Sequence, residues 1–159
     1  LGYRAAQILR SRLAEVFKKL GLEVQQGKTE AVGCTSAQLG RYIQQQMRGP
    51  NGWMSLENHG VIYAIGESKT WQLDHIFPIT EFVRQNQSKL TLPEIMRRVN
   101  NWSNLMPLDS RVNNQKKADI PQGFHWDNER ERWVWEEWTK NVNFELPEED
   151  EEDEEEEEE

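Results

Sequence analysis

The sequence predicts a small α+β domain, and three observations predict it. Two segments, 3–20 and 35–47, carry apolar residues at helical spacing. Two short runs, Val61–Ile65 and Thr70–Ile76, are β-branched or aromatic and are parted by Gly66-Glu67-Ser68-Lys69. Two further helix starts are written at Thr91 and at Asp109 or Ser110. With 159 residues, of which 36% are hydrophobic, the chain can bury one core and not a large one.

In the first segment Ile8, Leu9, Leu13, Val16, Phe17 and Leu20 form one stripe, with Arg4, Arg10, Arg12, Lys18 and Lys19 largely on the other faces. Gly21 stops it, and residues 22–34 read as a polar linker. Thr35 and Gln38 make a capping-box pattern that opens a second helix with Leu39, Tyr42, Ile43 and Met47 along one side. Gly49-Pro50-Asn51-Gly52 ends it. Trp53–Gly60 reads as a loop or single turn, and the two β-like runs then suggest a hairpin that delivers Asp74 and His75 to its end. Pro78 is expected to prevent a helix directly after that pair. Thr91-Leu92-Pro93-Glu94 opens a helix to about Asn101. Met106 and Leu108 suggest a short strand broken by Pro107, followed by a helix through about Lys117. Phe124 and Trp126, then Trp133 and Trp135, alternate around Asp127–Arg132, which favours a hairpin followed by a helix. The organisation expected is thus a helical region over 1–60, a core over 61–122, a Trp-rich extension over 123–146 and a disordered acidic tail over 147–159.

The net charge of −9 hides an asymmetry. Residues 148–159 are all acidic; without those twelve, sixteen Asp and Glu face nineteen Lys and Arg, a balance of +3. Such a body can approach a polyanion. Cys34 is the single cysteine, which excludes a disulfide framework and a cysteine-based zinc ribbon. No apolar run approaches the ~20 residues of a membrane span. There is no signal-peptide pattern, so a reducing intracellular compartment (cytoplasm or nucleus) is expected.

Chemistry concentrates in Asp74-His75, Asn104-Leu105-Met106-Pro107-Leu108 and Asn113-Asn114-Gln115-Lys116-Lys117. A carboxylate and an amide, Asp74 and Asn113, can hold a hard divalent cation through oxygen. Histidine is the residue type whose ordinary range suits taking a proton from water, and His75 is the candidate. Asn104 has an amide able to tie the loop carrying His75 to the second strand. Lys116 and Lys117, with Arg10 and Arg12, are candidate phosphate contacts. These parts suit phosphodiester hydrolysis, which needs an activated water and neutralisation of developing charge.

The order D-H-x-x-P, N-L-x-P-L, N-x-x-K resembles the HNH endonucleases of the His-Me finger, or ββα-metal, superfamily. Gly33-Cys34-Thr35-Ser36-Ala37-Gln38-Leu39 and Gly52-Trp53-Met54-Ser55-Leu56-Glu57-Asn58-His59-Gly60 are similar to upstream blocks of free-standing phage and mobile-element members. The resemblance covers roughly residues 4–120. It implies a ββα-metal core with N-terminal helices, and a metal-dependent DNA endonuclease giving 5′-phosphate and 3′-hydroxyl ends. It also implies roles: Asp74 and Asn113 as ligands of one divalent ion (Mg²⁺, with Mn²⁺ as substitute), His75 as general base, Asn104 as structural amide. An Asn at the last ligand, nine residues after Asn104, looks like the version in CRISPR effector nucleases. The insertion at Val61–Thr70, the Trp-rich segment and the acidic tail depart from the family pattern.

Other residues suit plainer roles. His59 is expected to pack within its loop, His125 to be a hairpin residue, Cys34 to be a buried thiol, and the tryptophans to be core. The rival to catalysis is an HNH-fold interaction module, with the acidic tail binding basic proteins or competing with DNA.

Overall fold

The structure, a computed structural model, describes residues 32–115, 119–135 and 145–148. The helix expected over 3–20, any helix after Trp135, Arg10, Arg12, Lys116 and Lys117 lie outside the described residues.

Helix α1 (Ser36–Gln45) begins as the capping box requires: Thr35 Oγ1 accepts from Gln38 N at 3.1 Å and Gln38 Oε1 accepts from Thr35 N at 3.0 Å. Its Leu39, Tyr42 and Ile43 are buried. Strand β1 (Trp71–His75) follows, then α2 (Ile79–Asn86), α3 (Leu92–Val99), β2 (Leu105–Asp109) and α4 (Ser110–Gln115). A small hairpin, β3 (His125–Asp127) and β4 (Arg132–Val134), completes the order. The described architecture is α+β, with two separate two-stranded antiparallel sheets. Among the described residues no helix is long and apolar enough to cross a membrane.

Three expectations are corrected. Val61–Ile65 does not pair with β1; the partner is β2, and Val61, Ile62 and Ile65 are 78%, 49% and 86% exposed. The reason is burial on both sides of the strand: Trp71, Leu73, Asp74 and His75 are all buried, and a solvent-facing hairpin supplies no cover for them. Pro78 does not prevent a helix. It stands at the N-cap of α2, where no intrahelical N–H is needed, and Phe82 N bonds its carbonyl at 3.0 Å.

Pro107 likewise does not break its strand. The bonds Ile76 N to Asn104 O (2.8 Å) and Ser110 N to Thr70 O (2.9 Å) flank the ladder, so the pairs 74↔106 and 72↔108 are hydrogen-bonded and Leu73↔Pro107 is not. The Pro107 nitrogen therefore faces away from β1, where its missing hydrogen costs no ladder bond. Trp71 stands at another such pair, and its outward carbonyl is taken by Gly60 N at 3.1 Å.

One core runs through these elements, with Leu39, Tyr42, Trp71, Leu73, Phe82, Val99, Leu105 and Trp133 among its members. The β3–β4 hairpin forms as expected, with Trp126 opposite Trp133. Trp133 is the inserted member: it stacks on Phe124 (5.0 Å between centroids), and its indole Nε1 donates to Arg98 O at 2.7 Å. At the chain's other described end Leu146 packs on the core. Gln38 Nε2 donates to Pro147 O and Arg41 Nη2 to Glu148 O, each at 2.8 Å. The root of the acidic run is thereby fastened to α1.

Candidate functional site

Side chains alternate along β1, so Trp71, Leu73 and His75 share one face while Gln72 and Asp74 share the other. Opposite residues point the same way; Leu105 and Pro107 thus join the face of His75, and Met106 and Leu108 that of Asp74. The first face is the drier: Leu73, Leu105 and Pro107 are all buried. The second meets α4, because Asn113 Nδ2 donates to Gln72 Oε1 at 2.8 Å. Asp74, next on the same face, is 4% exposed.

His75 ends β1 and is 3% exposed. Its Nε2 meets Asn100 Oδ1 at 3.1 Å, across twenty-five residues of sequence. The chain beyond it is held by Asn104, whose Oδ1 accepts from Phe77 N at 2.7 Å and whose Nδ2 donates to Phe77 O (3.2 Å) and Val99 O (2.8 Å). One fully buried amide therefore joins the segment after β1, the end of α3 and the start of β2. Asn101 and Ser103 extend this polar seam: Asn101 Oδ1 accepts from Ser103 N at 3.0 Å, and Ser103 Oγ accepts from Trp133 N at 2.7 Å. The hairpin thus grips the same turn that carries Asn100 and Asn104.

Helix α4 is aimed by Asp109, which accepts from Arg111 N at 2.9 Å. Its carboxylate also takes the Tyr63 hydroxyl at 2.8 Å and 3.1 Å, with the Arg111 guanidinium over the Tyr63 ring. Burial pushes the Asp109 carboxyl up, but the Tyr63 hydroxyl and the Arg111 and Val112 amides outweigh it and hold Asp109 below its ordinary value. The bond to Asp109 pushes the Tyr63 hydroxyl up. A depressed carboxyl contributes stability above the unfolded carboxylate range and loses it as pH falls through the folded value. Tyr63→Phe is expected to lower Tm at pH 7, with the deficit shrinking below pH about 4. A deficit of the same size at pH 7 and pH 3, measured by thermal melts, excludes this charge-dependent role.

The remaining histidines have other work. His59 sits edge-on to Trp71 with centroids 4.8 Å apart, and His125 Nδ1 meets Gly123 O at 3.0 Å. Cys34 is half-buried against the core. A groove of about 640 Å³ is lined by Arg41, Arg48, Met54 and Glu57 on the α1 side, and not by Asp74 or His75.

Among the described residues no group of three or more His, Cys, Asp and Glu side chains comes together. Asp74 and Asn113 offer one carboxylate and one amide oxygen, the donor types that a hard cation such as Mg²⁺ takes.

Sequence reasoning passed over Gln72 and Asn100. Gln72 had a signal, lying two residues before Asp74 and hence on the same face of a strand. Asn100 had none, because its partner is reached only by folding. Comparison of the chain with protein-family models, with curated proteins and with solved structures finds no match, so the site stands on its own residues and their geometry.

Proposed function

We propose that the chain is a metal-dependent endonuclease that hydrolyses DNA phosphodiester bonds on a ββα-metal core formed by β1, β2 and α4. The observation that carries this reading is one arrangement. Asp74-His75 closes β1, Asn104 ties the following segment to the start of β2, and β2 runs directly into α4, whose Asn113 bonds back to β1 at Gln72.

In this reading His75 accepts a proton from water as the water oxygen attacks phosphorus. The new P–O bond forms as the P–O3′ bond breaks; the leaving oxygen gains a proton from solvent, giving 3′-hydroxyl and 5′-phosphate ends. Asp74 and Asn113 would hold a divalent ion, which would supply positive charge to offset that of the departing oxygen. Asn104 keeps the His75 segment in place and touches no substrate. Phosphate contacts fall to Arg10, Arg12, Lys116 and Lys117 as the sequence suggests.

The test is a supercoiled-plasmid assay on the full chain, with Mg²⁺ and with chelator. Nicked product only with Mg²⁺ (or Mn²⁺) is expected. Asp74→Ala is expected to raise the half-saturating Mg²⁺ concentration about tenfold or more. An unchanged Mg²⁺ titration removes Asp74 from the metal site.

A second reading is favoured by the burial of Asp74 and His75, 4% and 3% exposed. A site closed to this degree also suits an interaction module that keeps the framework without the chemistry, its acidic run binding basic proteins. No nicking with either metal, together with retained DNA or basic-protein binding, selects that reading.

A further inference from the structure

Asn100 has no solvent exposure, and its side chain makes one hydrogen bond: Oδ1 to His75 Nε2 at 3.1 Å. Its Nδ2 makes no hydrogen bond. A buried amide left half satisfied is costly, and an aliphatic side chain of the same shape serves stability better. The backbone does not ask for Asn either. Residue 100 is the C-cap of α3 at φ −94°, ψ 0°, a conformation open to most residues, and its cap bond uses only the main-chain N–H, to Met96 O at 3.1 Å. What the amide gains at this position is its bond to the imidazole.

Asn100 is also held still. Trp133 Nε1 bonds Arg98 O two residues before it, and Trp133 N bonds Ser103 Oγ three residues after, each at 2.7 Å. A partner fixed on both sides can fix a ring, and the nitrogen that bonds the partner decides which nitrogen keeps its lone pair.

We propose that Asn100 is the positioning residue for His75: its side-chain oxygen holds the Nε2 proton, which fixes the ring and sets the neutral tautomer, leaving the buried Nδ1 as the ring's acceptor atom. The tautomer is a property of the folded chain alone, while its catalytic consequence rests on the endonuclease reading. The two are therefore separable by experiment. The opposite amide orientation, Nδ2 donating to Nε2, places the proton on Nδ1 instead.

Ring ¹⁵N chemical shifts of His75 in the full chain, assigned among the three histidines and read above the ordinary imidazole titration range, decide between them. Wild type is expected to show a protonated Nε2. Asn100→Asp, whose ionised carboxylate can only accept, is expected to keep Nε2 protonated. Asn100→Leu, which offers no oxygen, is expected to mix the tautomers and to lower kcat for plasmid nicking about tenfold or more with KM nearly unchanged. Asn100→Asp is expected to recover most of that kcat. A protonated Nδ1 in wild type overturns the proposal, as does a Leu variant with wild-type shifts. Should the Leu variant not fold, a tautomer that switches in Asn100→Asp overturns it equally, and one that persists upholds it. Absence of nicking by wild type defeats the endonuclease reading and leaves the shifts to decide the role of Asn100.

Discussion

His75→Ala is expected to remove Mg²⁺-dependent nicking, lowering the single-turnover rate by about 10²–10⁴-fold, the usual contribution of a positioned base. DNA affinity is expected to stay within a few fold, because the candidate phosphate contacts are other residues, Arg10, Arg12, Lys116 and Lys117. The variant also deprives Asn100 of its partner and leaves a small space in a buried site, so a modest fall in Tm accompanies the loss. Rate, binding and melting must therefore be measured together. A His75→Ala protein that is folded, binds DNA and nicks at the wild-type rate places the base elsewhere. One that neither binds nor melts cooperatively reports a structural histidine.

Asn104→Ala is expected to give the largest stability loss of any single replacement at the site. The change strands three buried backbone groups: Phe77 N, Phe77 O and Val99 O. At about 1–3 kcal/mol for each buried group left unpaired, the loss is roughly 3–9 kcal/mol, a large share of a small domain's total. The damage is also directional. Phe77 follows His75 by two residues and Val99 precedes Asn100 by one, so the same amide holds His75 and its partner in common register. Asn104→Asp keeps an acceptor for Phe77 N but supplies no donor for the two carbonyls; it is expected to recover only part of the stability. Urea unfolding of the three proteins checks this. A loss below about 1 kcal/mol for Asn104→Ala contradicts the role of the amide as the joint of the site.

Much of the local structure was legible in the sequence because it depends on neighbours in the chain. Thr35 and Gln38 announce the start of α1, Thr91 and Pro93 that of α3, and Asp109 that of α4. Alternation around Asp127–Arg132 announces the β3–β4 hairpin. The readings that went astray each required knowledge of distant partners. Val61–Ile65 has strand-like composition, yet β1 needs cover on both faces, and β2, thirty-odd residues onward, brings that cover with it. Pro78 reads as a stop until its position just outside a helix is known, and Pro107 as a break until the register shows its nitrogen facing away from β1.

The sequence by itself determined the reactive groups and their order: a carboxylate beside a histidine, an amide about thirty residues on, and a second amide nine residues beyond that. It also determined the charge asymmetry, since both follow from residue identity and from nothing else. Only the tertiary structure decided which amides serve which groups. Gln72 reaches Asn113 across forty-one residues, Asn100 reaches His75 across twenty-five, and Trp133 reaches Ser103 across thirty. Amides are common and chemically alike, and their meaning lies in direction. A hydrogen bond needs its donor and acceptor within about 3 Å and in line, a condition set by strand register and helix packing rather than by spacing along the chain.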